Sequence, residues 1–188
     1  MTTPTPESIQ RAERIARLRE TTRNIRLLVL DVDGVLTDGT INLDDNGVET
    51  KRFSARDGLG IATWLRLNLE LAIITKRSGE ALKHRCRELG ITRIVQGSAD
   101  KLAALDQLIK DTNIPASEIA YIGDDWPDLP PMSRVALPIA PANADARVRA
   151  VAMLVTTSPG GRGSVREAIE HILTAKGLMQ DALAPYQK

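Results

Sequence analysis

The sequence predicts an α/β sandwich in which helices cover both faces of one mainly parallel sheet. Three observations predict it: uninterrupted apolar runs of strand length, amphipathic helical segments alternating with them, and a balance of 43% hydrophobic against 26% charged residues in a chain of 188. A strand covered on both faces has no polar side, so it reads as a continuous apolar run. Strands that alternate with helices at this spacing form βαβ units, and hence a parallel sheet. The length suffices for one well-buried core and is short for two ordinary domains.

The elements follow in order. Residues 4–23 read as a polar amphipathic helix with Ile9, Ile15 and Leu18 as its few apolar contacts. The first strand is IRLLVLD at 25–31, and LELAIIT at 69–75 and EIAYIGD at 118–124 share its form. Residues 58–67, 78–89 and 99–111 carry apolar positions at three- and four-residue spacing and are predicted helices. Shorter strands are expected at 93–95, 134–137 and 152–155, with helices at 143–150, capped by Asn143, and at 164–175, after Gly-Gly-Arg-Gly. Residues 39–53 break the alternation: Asp45-Asn46-Gly47 between two strand-like stretches signals a hairpin that projects from the loop after the first strand. The expected organisation is a helical or partly disordered extension at 1–24, one three-layer, Rossmann-like domain at 25–176, and a tail at 177–188.

Composition narrows the function. Lys plus Arg number 25 against 24 for Asp plus Glu, and a net charge of +1 gives no reason to expect nucleic acid or an anionic membrane as partner. The few aromatic residues, Phe53, Trp64, Tyr121, Trp126 and Tyr186, do not supply a base-stacking surface. The single Cys86 excludes an internal disulfide and a cysteine-rich zinc site. No stretch approaches the length of a membrane helix, and the charged N-terminal region lacks the apolar core of a secretory signal, so a cytoplasmic protein is expected.

In an open parallel sheet, ligands bind beyond the carboxyl ends of the strands, where loops and helix N-termini converge. The three apolar runs end there in Asp31, Thr75 and Asp124. Any one alone reads as a turn-former or a helix cap; three together, with further acidic residues beside two of them, mark a site. In Asp31-Val32-Asp33-Gly34 the two carboxylates stand at strand spacing, on one side of the chain, and Gly34 permits a sharp turn. Close carboxylates repel unless a cation or a proton separates them. Asp124, Asp125 and Asp128 bring more carboxylates to the same edge, and hard oxygen ligands without His or Cys call for Mg²⁺. The Thr75 hydroxyl and the Lys101 ammonium complete a surround for a phosphoryl group.

The order DVDGV (31–35), IIT (73–75), DK (100–101) and GDDWPD (123–128) resembles the four motifs of the haloacid dehalogenase superfamily of phosphohydrolases, over about residues 25–175. The resemblance implies that Asp31 is the nucleophile that forms an aspartyl phosphate and that Asp33 is the general acid and base. It further implies that Asp31, the Asp33 backbone carbonyl and Asp124 hold Mg²⁺, that Asp125 or Asp128 orients these ligands, and that Thr75 and Lys101 bind the phosphoryl oxygens.

Many members of this superfamily insert a cap after the first or second motif, and the gaps here leave no room for one. ARDGLGI (55–61), RCRELGI (85–91), GDDWPDLPPM (123–132) and GGRGSVRE (160–167) resemble the capless 3-deoxy-D-manno-octulosonate 8-phosphate phosphatases of lipopolysaccharide sugar synthesis. That likeness implies hydrolysis of an eight-carbon sugar-acid phosphate, a homotetramer assembled through the 39–53 hairpin, and substrate contacts from Arg56, Asp57, Gly58, Arg77 and Arg85. Guanidinium groups suit a substrate carrying both a carboxylate and a phosphate. Arg162, between glycines, could fold over a site as a lid or simply enter a helix. Two positions depart from the family: Lys76 replaces the usual Gly after Thr75, and Ala62 replaces a frequently basic residue, with Arg66 one turn on. A nine-carbon acid phosphate as substrate, and a catalytically idle scaffold, are the competing readings. Cys86, His84 and His171 are expected to be packing or surface residues rather than catalytic ones.

Overall fold

Residue 16 and residues 18–187 are described in the computed structural model of the chain. The first helix, α1, covers residues 18–24; the part of the expected N-terminal helix at 4–15 lies outside the described residues. Six strands form the main sheet: β1 (Leu27–Leu30), β4 (Glu70–Ile74), β5 (Arg93–Val95), β6 (Ile119–Ile122), β7 (Leu137–Ala140) and β8 (Leu154–Val155), in the order β5-β4-β1-β6-β7-β8. Every neighbouring pair is parallel, with Leu30 level with both Ile73 and Ile122. The other two strands, β2 (Asn42–Leu43) and β3 (Glu49–Thr50), form a separate antiparallel pair.

Side-chain alternation along β1 sorts the core into two layers. Leu28 and Leu30 point toward the face covered by α2 (Ala55–Arg66), α3 (Glu80–Leu89) and α7 (Ser164–Lys176), packing with Ile61, Trp64, Leu82, Ile169 and Leu173. Leu27 and Val29 point to the opposite face, where α4 (Lys101–Thr112), α5 (Leu129–Arg134) and α6 (Ala146–Val151) contribute Leu105, Leu108, Met132 and Val148. Trp64 is fully buried, and its indole N–H donates to the Glu70 carbonyl at 2.8 Å, so its bulk enters the core with no polar atom stranded. This is the three-layer α/β sandwich that the sequence predicts.

The strand expected at 134–137 runs instead from Leu137 to Ala140, because LPPMSR folds as α5 with proline in its first turn, where a missing N–H costs nothing. Similarly, α6 begins at Ala146 under Asp145, whose carboxylate accepts from the Arg147 N–H at 2.8 Å. Asn143 serves elsewhere, accepting from the Gly160 N–H at 2.9 Å. Residues taken from sequence as a tail fold into α8 (Met179–Leu183), with Ala182 buried and its carbonyl accepting from the Arg66 guanidinium at 2.8 Å.

The hairpin forms where Asn46-Gly47 predicts it. Asp44 Oδ1 accepts from the N–H groups of Asn46 and Val48 at 2.9 and 2.7 Å, closing the turn. Between β1 and β4 lie only this hairpin and α2, and between β4 and β5 only α3, so no cap domain covers the strand ends.

Candidate active site

Three adjacent central strands carry the site. β1, β4 and β6 deliver Asp31, Thr75 and Asp124 one or two residues beyond their last paired positions, at the point where the strand order reverses about β1. A cavity of about 250 Å³ opens there, lined by Asp31, Asp33, Thr75, Lys76, Arg77, Lys101, Asp124, Asp125 and Asp128 together with Gly39 and Pro127. Sequence reasoning thus brings its catalytic, metal and phosphate residues to one place.

Lys101 opens α4 under the cap of Asp100, which accepts from the Ala103 N–H at 2.9 Å. That cap aims the lysine inward: it is 4% exposed, with Nζ 2.8 Å from Asp31 Oδ2 and 2.7 Å from Asp128 Oδ1. Burial acts to lower the pKa of this ammonium, but the two carboxylates outweigh it and raise it. Asp128 is fully buried, and its lone pairs are taken. Oδ1 also accepts from the Tyr121 hydroxyl at 2.8 Å, and Oδ2 accepts from the N–H groups of Asp124 and Asp125 at 3.2 and 3.4 Å. Asp125 completes a reciprocal capping box with Asp128 around Trp126-Pro127, which fixes the loop after β6.

Asp31 and Asp124 are different. Burial, then the charge of Asp128, pushes Asp31 up to about 7 despite the neighbouring Lys101, and burial with the charges of Asp31 and Asp128 pushes Asp124 up to about 8. Carboxylate oxygens of Asp31, Asp124 and Asp128 lie within 4.8 Å of one another. Repulsion on this scale is relieved by protons or by a cation, and the all-oxygen donor set fits Mg²⁺. With Asp128 engaged by four donors, Asp31 and Asp124 are the carboxylates left to ligate it. Gly34 stands beside the same space at φ +82°, and a Cβ there would collide with the Asp124 carboxylate, so only glycine fits the loop against it.

On the other side of the cavity, Asp33 turns toward the hairpin. Its Oδ1 accepts from Lys51 Nζ at 2.5 Å, and its Oδ2 lies 3.7 Å from Arg77 Nε. Glu49 bridges the same two cations, with Lys51 Nζ 2.8 Å from one oxygen and Arg77 Nη2 2.9 Å from the other. The hydrogen bond from Lys51 holds Glu49 below the usual carboxylate range against the effect of burial, and Glu49 in turn raises Arg77.

Of the residues expected to touch substrate, Arg77 lines this cavity and four others gather at the start of α2. Asp57 is buried and accepts from the N–H groups of Gly163 and Arg166 at 3.0 and 2.8 Å, capping α7 from outside it. The Arg85 guanidinium fills the space beside Gly58, donates to the Ser54 carbonyl at 3.4 Å, and stands over the Phe53 ring at 5.9 Å. Arg56 is exposed, near Gly163. The Gly-Gly-Arg-Gly segment packs on the loop that follows Asp31, with Gly160 against the Gly34 carbonyl and the Gly161 N–H donating to the Val35 carbonyl at 2.9 Å. Trp126 is exposed, stacked under Arg147 at 5.1 Å, and Cys86 is buried with its thiol pushed up to about 11 by burial, which leaves it unreactive.

Sequence reasoning missed Lys51, Glu49 and Tyr121. A phenol inside the apolar run EIAYIGD needs a buried partner and could have been flagged on that ground. Lys51 and Glu49 read as ordinary hairpin polarity, and nothing local distinguishes them.

A family model described as haloacid dehalogenase-like hydrolase matches residues 76–169. The 3-deoxy-D-manno-octulosonate 8-phosphate phosphatase KdsC of Escherichia coli K12 is 45% identical over 159 residues, 85% of each chain. The chain belongs to the haloacid dehalogenase-like hydrolases. Among solved structures, the 3-deoxy-D-manno-octulosonate 8-phosphate phosphatase of Moraxella catarrhalis, crystallised with magnesium, phosphate and the sugar acid, superposes with a TM-score of 0.89 at 41% identity, covering 92% of this chain and 99% of that one. The Yersinia pestis phosphatase superposes at 0.86 with 41% identity, covering 87% and 89%. As a haloacid dehalogenase-like hydrolase the chain is a capless member, with its site open at the strand ends.

Proposed function

We propose that this chain is a Mg²⁺-dependent phosphatase that converts 3-deoxy-D-manno-octulosonate 8-phosphate into the free sugar acid and phosphate. The observation that carries the proposal is the meeting of Asp31, Asp124 and Lys101 in one cavity with Asp33 on its opposite wall. That arrangement accompanies 41% identity to a phosphatase crystallised with the metal, the anion and the sugar acid.

In this reading Asp31 and Asp124, with the Asp33 backbone carbonyl, hold Mg²⁺. The metal, when bound, neutralises phosphoryl charge. Thr75 and Lys101 bind phosphoryl oxygens, and Asp128 holds Lys101 in place. An Asp31 oxygen forms a bond to phosphorus as the bond from phosphorus to the sugar oxygen breaks, and Asp33 gives its proton to that leaving oxygen. Asp33 then takes a proton from water, whose oxygen bonds to phosphorus as the Asp31 oxygen departs. Arg77, half-exposed beside the cavity, meets the anionic sugar. Arg56, Gly58 and Arg85 stand at the start of α2, outside the lining of this cavity, and their substrate contacts rest on the likeness to the phosphatases alone, while Asp57 acts through the cap it gives α7.

Ile41, Leu43 and Val48 are exposed on the hairpin, a cost that subunit contact would remove, and they support assembly into a homotetramer through this element. No helix among the described residues is long and apolar enough to cross a membrane. The unpaired Cys86 accords with a cytoplasmic setting.

Phosphate release should be measured on the eight-carbon acid 8-phosphate and on nine-carbon acid 9-phosphates, with Mg²⁺ and with EDTA. Mg²⁺-dependent turnover favouring the eight-carbon substrate in kcat/KM, abolished in Asp31→Asn, is the expected outcome. A higher kcat/KM on a nine-carbon substrate would replace the substrate while keeping the chemistry, and release that persists in EDTA or in Asp31→Asn would overturn the mechanism. Light scattering of Leu43→Asp should show smaller species than the parent.

A further inference from the structure

We propose that Lys51 is a positioning residue for the leaving-group step, holding the Asp33 carboxylate in place from the second arm of the hairpin. The inference rests on the reading of Asp33 as the acid that protonates the leaving oxygen, and on three observations.

First, Lys51 is the sole hydrogen-bond donor to the Asp33 side chain among the described residues, since Arg77 Nε stays 3.7 Å away. Without Lys51, a carboxylate whose side chain is 22% exposed would be held only by the longer ion pair with Arg77. Second, the Lys51 side chain is only 5% exposed, so four methylenes are packed and the ammonium has little room to wander. A lysine in that setting survives only when paired, and Asp33 and Glu49 pair it on two sides. Third, those two carboxylates balance its charge, whereas Lys76, Arg77 and Lys101 supply the cations that line the cavity. Lys51 is therefore engaged by the protein and not by substrate. A proton donor displaced by about 1 Å loses on the order of a hundredfold in rate, so fixing Asp33 is worth the burial of a charge.

The test compares two leaving groups on the Mg²⁺-loaded enzyme. A p-nitrophenolate departs without a proton, whereas a sugar alkoxide needs one, and kcat/KM reports only the steps up to the first phosphoryl transfer. For Lys51→Met, kcat/KM on the sugar-acid phosphate should fall roughly 10- to 100-fold, while kcat/KM on p-nitrophenyl phosphate falls less than about threefold. Lys51→Arg, which keeps a donor, should recover most of the loss, and inhibition by the free sugar acid should stay within about twofold of the parent. Equal losses on both substrates would make Lys51 a mere hairpin anchor, and weakened sugar-acid inhibition would make it a substrate ligand; either overturns the proposal. Asp33→Asn separates this from the underlying reading. If Asp33→Asn itself shows no leaving-group difference, the acid role falls and the proposal with it; if it shows the difference and Lys51→Met does not, the proposal alone falls. Should Lys51→Met fail to fold by circular dichroism, Lys51→Gln is read against the same outcomes.

Discussion

The Tyr121 hydroxyl donates to Oδ1 of Asp128 at 2.8 Å, in the fully buried space beneath Asp31 and Asp124. That oxygen also receives Lys101, so the phenol and the ammonium fix one carboxylate from two directions. Burial, then the charge of Asp128, raises the Tyr121 hydroxyl well above its usual range, which keeps it a donor at every pH the protein meets. Tyr121→Phe keeps the ring and removes this donor. Because the acceptor is charged, the loss should cost about 1.5–3 kcal/mol of stability in urea unfolding. It should also lower kcat, since Asp128 then holds Lys101 less firmly. Unchanged stability would mean that a water molecule replaces the phenol.

Asp31 and Asp124 tie stability to pH in the metal-free protein. Their folded values of about 7 and about 8 stand above the ordinary 3.8, so the native state keeps protons that the unfolded chain has released. Stability from these groups is full below the ordinary carboxylate value and is lost as pH rises through the two folded values. With Asp31 and Asp124 as the proposed ligands, Mg²⁺ binding displaces the same protons. Calorimetric titration in buffers of different ionisation heat should find about one to two protons released per Mg²⁺ at pH 6 and almost none at pH 9, with tighter binding at the higher pH. The thermal midpoint of the metal-free protein should fall between pH 5 and pH 9, within the window those values set. Affinity for Mg²⁺ that is flat across this range would contradict the assignment of the two carboxylates as ligands.

The fold was legible because its signal is local. LLVL and IAYI are buried throughout, and ELAII is buried after its leading Glu70, as strands covered on both faces of a sheet are. The cavity was legible for the same reason: Asp31, Thr75 and Asp124 follow directly on those strands, and the sheet sets them side by side. What failed was whatever depends on contacts across many residues. Asp57 lies beside Arg56 and Gly58 in sequence, yet its carboxylate is turned to α7, more than a hundred residues away. Lys51 and Asp33 are 18 residues apart on opposite sides of a turn, and no periodicity joins them. The strand expected at 134–137 begins only at Leu137, because two prolines that look like loop residues open a helix that runs to Arg134.

The cap that Asp57 gives α7 links α2 to the loop that follows Asp31. Gly163 enters α7 at φ +111° and its N–H bonds to Asp57, while Gly160 and Gly161 three and two residues earlier pack on the loop from Gly34 to Asp38. Asp57→Ala strands two N–H donors at the start of a buried helix. It should cost about 1–3 kcal/mol, measured by thermal unfolding, and should lower kcat as the glycine segment loosens its hold on the Asp31 loop. Asp57→Asn, which retains one acceptor oxygen, should recover part of the stability. A variant that loses stability but keeps full kcat would confine Asp57 to the helix.

One residue beyond Gly163, the Ser164 hydroxyl is fully buried and has no hydrogen-bond partner among the described residues. A buried hydroxyl that gave up water and gained nothing costs more than it contributes, and alanine at the first helical position removes the polar atom without opening a large void. Ser164→Ala should therefore stabilise the protein by about 0.5–1.5 kcal/mol, a rise of roughly 2–4 °C in Tm per kcal/mol for a chain of this size. The opposite signs expected for neighbouring changes at Asp57 and Ser164 make the pair informative. Both act on the same helix end, yet one removes a satisfied acceptor and the other an unsatisfied group, so a shared direction of change would contradict the hydrogen-bond pattern of this corner.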